Sequence, residues 1–281
     1  MPSIEFGNKS AAGERMTTPA RSVAMTSKSV LEYQMRSIEE YADYLAKDNT
    51  SDTVLFRGQS EDWPLVPKIG RIETSKPVVE SEEAMLESFK LQSRPFLNRV
   101  PESEWEWLAI AQHHGLPTRL LDWTEYPLVA LWFAVAKPAN GEGSGVVWIF
   151  KPNKNDFVRM NDDDPYSGER AKVFRPAHVA DRIRAQAGYF TVHKYQNKTR
   201  RFIPFDKIAI YNPRLVKLLI SSDSFSDIRF RLDQYGINES VVFPDLDGLS
   251  HHIGWLHSKL SDERHLERTV DNLGWKPPSK G

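Results

Sequence analysis

The sequence has no cysteine among its 281 residues. Disulfide bonds, a thiolate nucleophile and thiolate-bound zinc are therefore all excluded. A chain without cysteine is compatible with a reducing compartment, and we expect a cytoplasmic protein.

Neither sign of charge dominates, since 37 Lys and Arg residues face 38 Asp and Glu residues and the net charge is −1. This balance argues against a broadly basic nucleic-acid surface, although a local groove lined by arginines stays compatible with it. Long apolar runs are missing too. The longest candidate, residues 127–136, falls short of the roughly 18 residues that a membrane span needs, so no membrane association is expected.

The chain has 40% hydrophobic residues, which suffices for a substantial core, and its length fits one large domain or two small ones. We favour one domain over residues 30–262. Residues 1–29 are rich in Ser, Thr, Ala, Lys and Arg and predict a disordered extension, and residues 263–281 predict a polar tail.

Strand and helix patterns are mixed along the chain without regular alternation, which favours an α+β fold with small mixed or antiparallel sheets flanked by helices. Helices are predicted at residues 37–47, 80–97, 101–111, 127–136, 176–184 and 244–260, with two more across residues 212–235. Strands are predicted at residues 53–56, 146–150, 188–192 and 208–211.

Two short patches combine turn residues with charges that look buried. In residues 112–136, Arg119 and Asp122 flank two leucines ahead of an apolar helix that starts at a proline. Upstream, Arg57 follows β-prone residues and precedes Gly58. A guanidinium at a strand end can grip a pyrophosphate or carboxylate, and Gly58 would let that ligand approach the backbone. The alternative for Arg57 is a buried ion pair with Asp122 or another acid.

Several motifs in order resemble the FRG domain of bacteria and phages. They are FRG at 56–58, WPLVPKIGR at 63–71, QHHGLPTRLLDWT at 112–124, RIRAQAGYFTV at 182–192 and GINESVVFPDLDGL at 236–249. The resemblance covers roughly residues 30–260. It names a family and leaves the mechanism to be argued from the site residues.

The same motifs are more remotely similar to those of ADP-ribosyltransferases. That resemblance implies a split sheet and an NAD-like ligand in a cleft between its halves. It places Gln186 where those enzymes carry a catalytic glutamate. A neutral amide does not stabilise an oxocarbenium-like ribose, so the negative charge would come from Asp122 or Glu239.

The predicted site therefore has three catalytic candidates and a larger binding set. The catalytic candidates are Gln186, Asp122 and Glu239. The ligand-binding candidates are Arg57, Gly58, Gln112, His113, Arg119 and Thr124. Arg119 and Asp122 should point to opposite faces of their strand, and Thr124 also suits a helix cap.

No metal is expected at this site. Adjacent histidines on one helix, as at residues 113–114 and 251–252, lie about 100° apart and cannot easily chelate together. The acidic run at residues 162–164 fits a solvated loop. Asp245 and Asp247 could hold Mg²⁺, but acids after Pro244 are also typical of a helix start, which we favour.

Two functional hypotheses remain open. In the first, the domain binds NAD or a similar nucleotide and transfers ADP-ribose to a nucleic acid or protein, or hydrolyses NAD, as a toxin or phage-defence effector. In the second, it is a module that recognises a nucleotide, nucleic acid or partner protein without catalysis.

Overall fold

The computed structural model describes residues 30–47, 53–139, 143–159, 164–176 and 188–263. The predicted extension at 1–29, the helix at 176–184 with the nearby Gln186, and nearly all of the tail at 263–281 lie outside the described residues.

A seven-stranded mixed sheet organises the described chain. Its strands are β1 (Leu31–Met35), β2 (Leu55–Gln59), β3 (Leu120–Thr124), β4 (Ser144–Phe150), β5 (Lys172–Phe174), β6 (Gly188–Val192) and β9 (Leu215–Ser221). Their order across the sheet is β1-β9-β4-β2-β3-β6-β5, and only β1 and β9 pair in parallel. A separate two-stranded sheet joins β7 (Tyr195–Gln196) to β8 (Arg201–Phe202).

Seven α-helices accompany these sheets in the described ranges. They are α1 (Ile38–Ala46), α2 (Val78–Ser93), α3 (Glu104–His113), α4 (Pro127–Val135), α5 (Phe225–Gln234), α6 (Glu239–Val242) and α7 (Leu246–Leu256). The predicted α+β class is confirmed. Serine caps explain two helix starts, since the hydroxyls of Ser37 and Ser103 accept the amides of Glu40 and Glu106, each at 3.2 Å.

Both faces of the large sheet are covered. One face packs against α1, α4 and α5, whose apolar side chains meet strand residues such as Phe56 and Val147. The other face holds an aromatic cluster that includes Trp123, Phe150 and Phe205. The apolar helix α4 thus lies in the core, and its uniform hydrophobicity reflects burial on several sides.

Two predictions between residues 208 and 221 are wrong. Residues 208–211 form a turn between short 3₁₀ helices, and β9 occupies the place of a predicted helix. The leucines at 215, 218 and 219 mimic a helical period, but β9 pairs on both sides, with β1 and β4. Lys217 is buried in the middle of this strand because its ammonium group binds Asp62 at 2.6 Å while lying over Trp148.

The strand pairing in the large sheet is shortest between β2 and β3, where Phe56 and Thr124 form the only residue pair in the register. By contrast, β2 pairs with β4 over five residues, and β3 pairs with β6 over five. The strands therefore form one continuous sheet rather than two separate ones, but its halves meet at a single point.

Helix α4 lies unusually close to the sheet beside this junction. A Cβ built on Gly58 of β2 would lie 1.8 Å from the main-chain oxygen of Ala130, and one on Gly145 of β4 would lie 2.5 Å from that of Ala134. Ala130 and Ala134 are one helical turn apart, so the two glycines together let one side of α4 pack directly against β2 and β4.

Candidate functional site

A cavity of about 660 Å³ opens where β2 and β3 diverge. Its walls come from β2, β3, β6, the C-terminal ends of α3 and α4, and the start of α7. The described lining residues are Phe56, Arg57, Gly58, Gln112, His113, His114, Gly115, Asp122, Trp123, Thr124, Phe133, Gly188, Tyr189, Phe190, Asp245 and Asp247.

Arg57 reaches from β2 across the gap to β3. Its Nη1 donates to the main-chain oxygen of Asp122 at 2.8 Å and lies 3.7 Å from that residue's Oδ2. Burial lowers the pKa of Arg57 to about 10, and the nearby Asp122 carboxylate opposes that shift. The guanidinium is therefore cationic at neutral pH. Its buried Nε has no hydrogen-bond partner within the described part of the chain.

Asp122 presents its carboxylate to the cavity from the middle of β3. Its neighbours on the strand are buried, whereas 56% of its own side chain is exposed. Nε2 of Gln112 donates to Oδ2 at 2.9 Å, and the Oε1 of Gln112 accepts from the hydroxyl of Thr118 at 2.7 Å. One carboxylate oxygen is thus held by α3, while the other accepts no hydrogen bond from the described residues.

Two predicted site residues lie away from this cavity. Arg119 does not line the cavity, and its guanidinium forms a buried ion pair with Glu82 at 2.6 Å. Tyr166 covers that guanidinium at 4.4 Å. Because Arg119 and Glu82 are both buried and paired with each other, the Arg119 guanidinium is not directed at the cavity.

Glu239 lies at the start of α6 and contacts Nδ1 of His251 at 2.9 Å. It lines a separate cavity of about 380 Å³ with Trp132 and Trp255. The geometry therefore does not bring the Glu239 carboxylate to Arg57. The third catalytic candidate, Gln186, lies outside the described residues.

The other four ligand-binding candidates line the cavity, but two of them have local structural duties. The missing side chain of Gly58 makes room for α4 rather than for a ligand. Oγ1 of Thr124 accepts the amide of Tyr126 at 2.9 Å, which shapes the turn just before α4. Gln112 is occupied by Asp122 and Thr118, and the ring of His113 packs against that of His114 at 4.8 Å.

Residues 52–143 match the family model of the FRG domain. The chain carries an FRG domain. The matched segment contains β2, α2, α3, β3 and α4, which supply Arg57, Gln112 and Asp122 to the cavity. Neither the search of curated proteins nor the search of solved structures found a match.

The remaining walls of the FRG cavity come from outside the matched segment. Tyr189 and Phe190 of β6 add aromatic surface, and the hydroxyl of Tyr189 donates to Glu125 at 3.1 Å. Asp245 and Asp247 border the opening from the start of α7. Their motif was visible in the sequence, but the sequence does not show that α7 would pack beside the cavity that Arg57 lines. The carboxylate of Asp245 caps α7 by accepting the amide of Gly248 at 2.8 Å, and Asp247 lies in the first turn of the same helix.

No group of three His, Asp or Glu side chains in the described ranges is arranged to hold a metal ion. The helix-start interpretation of Asp245 is confirmed by its capping bond. Among the helices of the described chain, none is long and apolar enough to cross a membrane.

Proposed function

We propose that the FRG cavity binds NAD or a similar dinucleotide and cleaves its bond to the nicotinamide ring, passing ADP-ribose to a nucleic acid, a protein or water. The observation that carries this proposal is the meeting of a buried cation, Arg57, and a restrained carboxylate, Asp122, in one aromatic-walled cavity of about 660 Å³. The volume falls in the usual range for small-molecule sites.

Arg57 suits the diphosphate of such a ligand. Nη1 is used by the main-chain oxygen of Asp122, but the rest of the planar guanidinium can donate to phosphate oxygens. The side chain of Arg57 is 15% exposed, so part of it is within reach of a ligand in the cavity.

Asp122 suits the ribose at which the bond breaks. The C1′–N bond breaks with its electron pair leaving on the nicotinamide nitrogen, which leaves positive charge on the ribose. A fixed carboxylate stabilises that charge. An acceptor oxygen or nitrogen, or a water oxygen, then bonds to C1′ and gives up its proton. Phe133, Tyr189 and Phe190 provide apolar surface for flat rings.

The proposal extends to a cytoplasmic toxin or phage-defence setting, in keeping with the resemblance to bacterial and phage FRG proteins. A non-catalytic module is the second candidate. Two observations support this second candidate: no glutamate is among the described residues that line the cavity, and the sequence has a neutral amide at residue 186.

The experiment that tests the proposal is calorimetric titration of the purified protein with NAD, together with chromatographic detection of released nicotinamide. We expect Arg57→Ala to weaken NAD binding roughly 10- to 100-fold, because hydrogen bonds to a charged group are lost. Arg57→Lys keeps the charge without the planar fork and should recover only part of the affinity.

Arg99→Ala is the matched control, because Arg99 is an exposed arginine paired with Glu106 on α3, outside the cavity. It should bind NAD as the wild type does. NAD binding without nicotinamide release would favour the non-catalytic module. Absence of binding to the wild-type protein would exclude NAD as the ligand.

A further inference from the structure

Thr118 is a buried residue next to the cavity, and its hydroxyl has two hydrogen-bond partners. It is 1% exposed and lies in the turn between α3 and β3. Its Oγ1 accepts the main-chain N–H of Leu120 at 3.1 Å and contacts Oε1 of Gln112 at 2.7 Å. It does not line the cavity itself.

Each bond in this chain has a defined direction. The Thr118 hydroxyl accepts from the main-chain N–H of Leu120 and donates its own proton to Oε1 of Gln112. The amide oxygen of Gln112 is thereby fixed on the Thr118 side, and its NH₂ group is turned toward Asp122. Since an amide NH₂ also only donates, Oδ2 of Asp122 must accept at 2.9 Å.

We infer that Thr118 is a positioning residue that acts through Gln112 to hold Asp122 as a hydrogen-bond acceptor. The inference deepens the proposed function and rests on it. Gln112 then serves to orient the carboxylate rather than to contact the ligand. Asp122 has its free oxygen, Oδ1, available to accept from a ligand hydroxyl.

This arrangement specifies what the ligand must offer at that point. Arg57 donates to the main-chain oxygen of Asp122, and Gln112 donates to the side chain, so both neighbours supply protons and neither accepts one. The Asp122 carboxylate therefore keeps Oδ1 open to the cavity, where it recognises a hydroxyl-bearing ribose that donates to it.

Thr118→Val tests the inference, because valine keeps the shape and removes the hydroxyl. Thr118→Ser keeps the hydroxyl and is the matched control. Asp122→Asn supplies the reference, because it places a donor or a neutral oxygen where the carboxylate was. The measurements are NAD affinity by calorimetry and the side-chain NH₂ resonances of Gln112 in the ligand-free protein.

We expect Thr118→Val to weaken NAD binding about three- to tenfold, in the same direction as Asp122→Asn, while Thr118→Ser stays within about twofold of the wild type. The Gln112 NH₂ resonances should shift in Thr118→Val and remain in place in Thr118→Ser. A merely structural role would lower thermal stability without moving those resonances.

Different failures point to different parts of the argument. Unchanged Gln112 resonances in Thr118→Val, or equal loss of affinity in the serine variant, would overturn the positioning role. If the wild-type protein bound no NAD, the proposed function would fail. The ligand-free resonances would still decide whether Thr118 orients Gln112.

Discussion

Replacing Gly58 by alanine should destabilise the protein by forcing α4 away from the sheet. The new Cβ would lie 1.8 Å from the main-chain oxygen of Ala130 and 2.7 Å from Cβ of Phe133. Carbon–oxygen contacts ordinarily begin at about 3.3 Å, so roughly 1.5 Å of separation must be gained. The obstacle is backbone, and no rotamer change can relieve it.

Helix α4 cannot give way freely, because it is held at other points. Gly145 also lets α4 approach the sheet closely, since a Cβ there would lie 2.5 Å from the main-chain oxygen of Ala134, and the hydroxyl of Tyr41 donates to the oxygen of Pro127 at 2.9 Å. Overpacking of a dense core costs about 1–3 kcal/mol, and a backbone clash belongs at the upper end. Alanine regains about 0.5–1 kcal/mol over glycine in a strand. We expect a net loss of about 2 kcal/mol.

Urea unfolding followed by tryptophan fluorescence measures this loss as a lower transition midpoint. Gly254→Ala is the control, because Gly254 lies inside α7 and a Cβ there meets nothing within 4 Å. That variant should gain about 0.5–1 kcal/mol from helix propensity. If Gly58→Ala proved as stable as the wild type, the close seating of α4 on β2 would be incorrect.

Three further predictions test other parts of the structure. Gly248 lies on the same helix as Gly254, but a Cβ there would lie 2.1 Å from the main-chain oxygen of Phe243. Gly248→Ala should therefore lower the free energy of unfolding, measured in urea, by about 1–3 kcal/mol. A gain of stability would contradict the packing of α7 on α6. Glu82→Gln should lower the free energy of unfolding by about 3–5 kcal/mol, because Arg119 stays buried without its charge partner. The double variant Glu82→Leu with Arg119→Met removes both charges and should lose less stability than Glu82→Gln. An equal or greater loss in the double variant would argue against an isolated ion pair. Burial, together with the positive charges of Arg57 and Arg119, lowers the pKa of His193 to about 3, so the folded protein keeps this histidine neutral. The unfolded chain binds the proton more readily. The free energy of unfolding is therefore highest above pH 6.5 and falls as the pH drops from 6.5 toward 3. Between pH 6.5 and 4.5 the loss should reach about 2 kcal/mol, and His193→Gln should flatten the dependence measured by urea unfolding; an unchanged slope would show that other groups cause it.

The sequence predicts best where the local signal and the tertiary environment agree. The helix predicted from residue 37, the proline start of α4 and the strand predicted at residues 146–150 all form as expected. It fails at β9, because pairing on both sides overrides a leucine spacing that fits a helix, and because a buried lysine looks like a polar helix face.

The candidate site is predictable only in part, for a related reason. Arg57, Gln112 and Asp122 belong to motifs with an unusual combination of charge and turn residues, and they do meet in the cavity. Arg119 belongs to the same kind of motif but forms an ion pair with Glu82, which lies 37 residues upstream on α2. Glu239 is separated because α6 presents it to His251. Partners this distant in sequence leave no local pattern that separates a ligand contact from an internal ion pair.

The narrow junction of the sheet connects the stability of the fold to its candidate chemistry. With one residue pair joining β2 to β3, the bond from Arg57 to the main-chain oxygen of Asp122 is a second link between the two strands. Arg57 therefore joins the halves of the sheet with the same guanidinium that faces the cavity. Any loss of ligand affinity in Arg57→Ala must exceed what the accompanying loss of stability explains. Arg57→Lys separates the two contributions, because lysine can restore a single bond to Asp122 but cannot also offer a planar fork to a diphosphate.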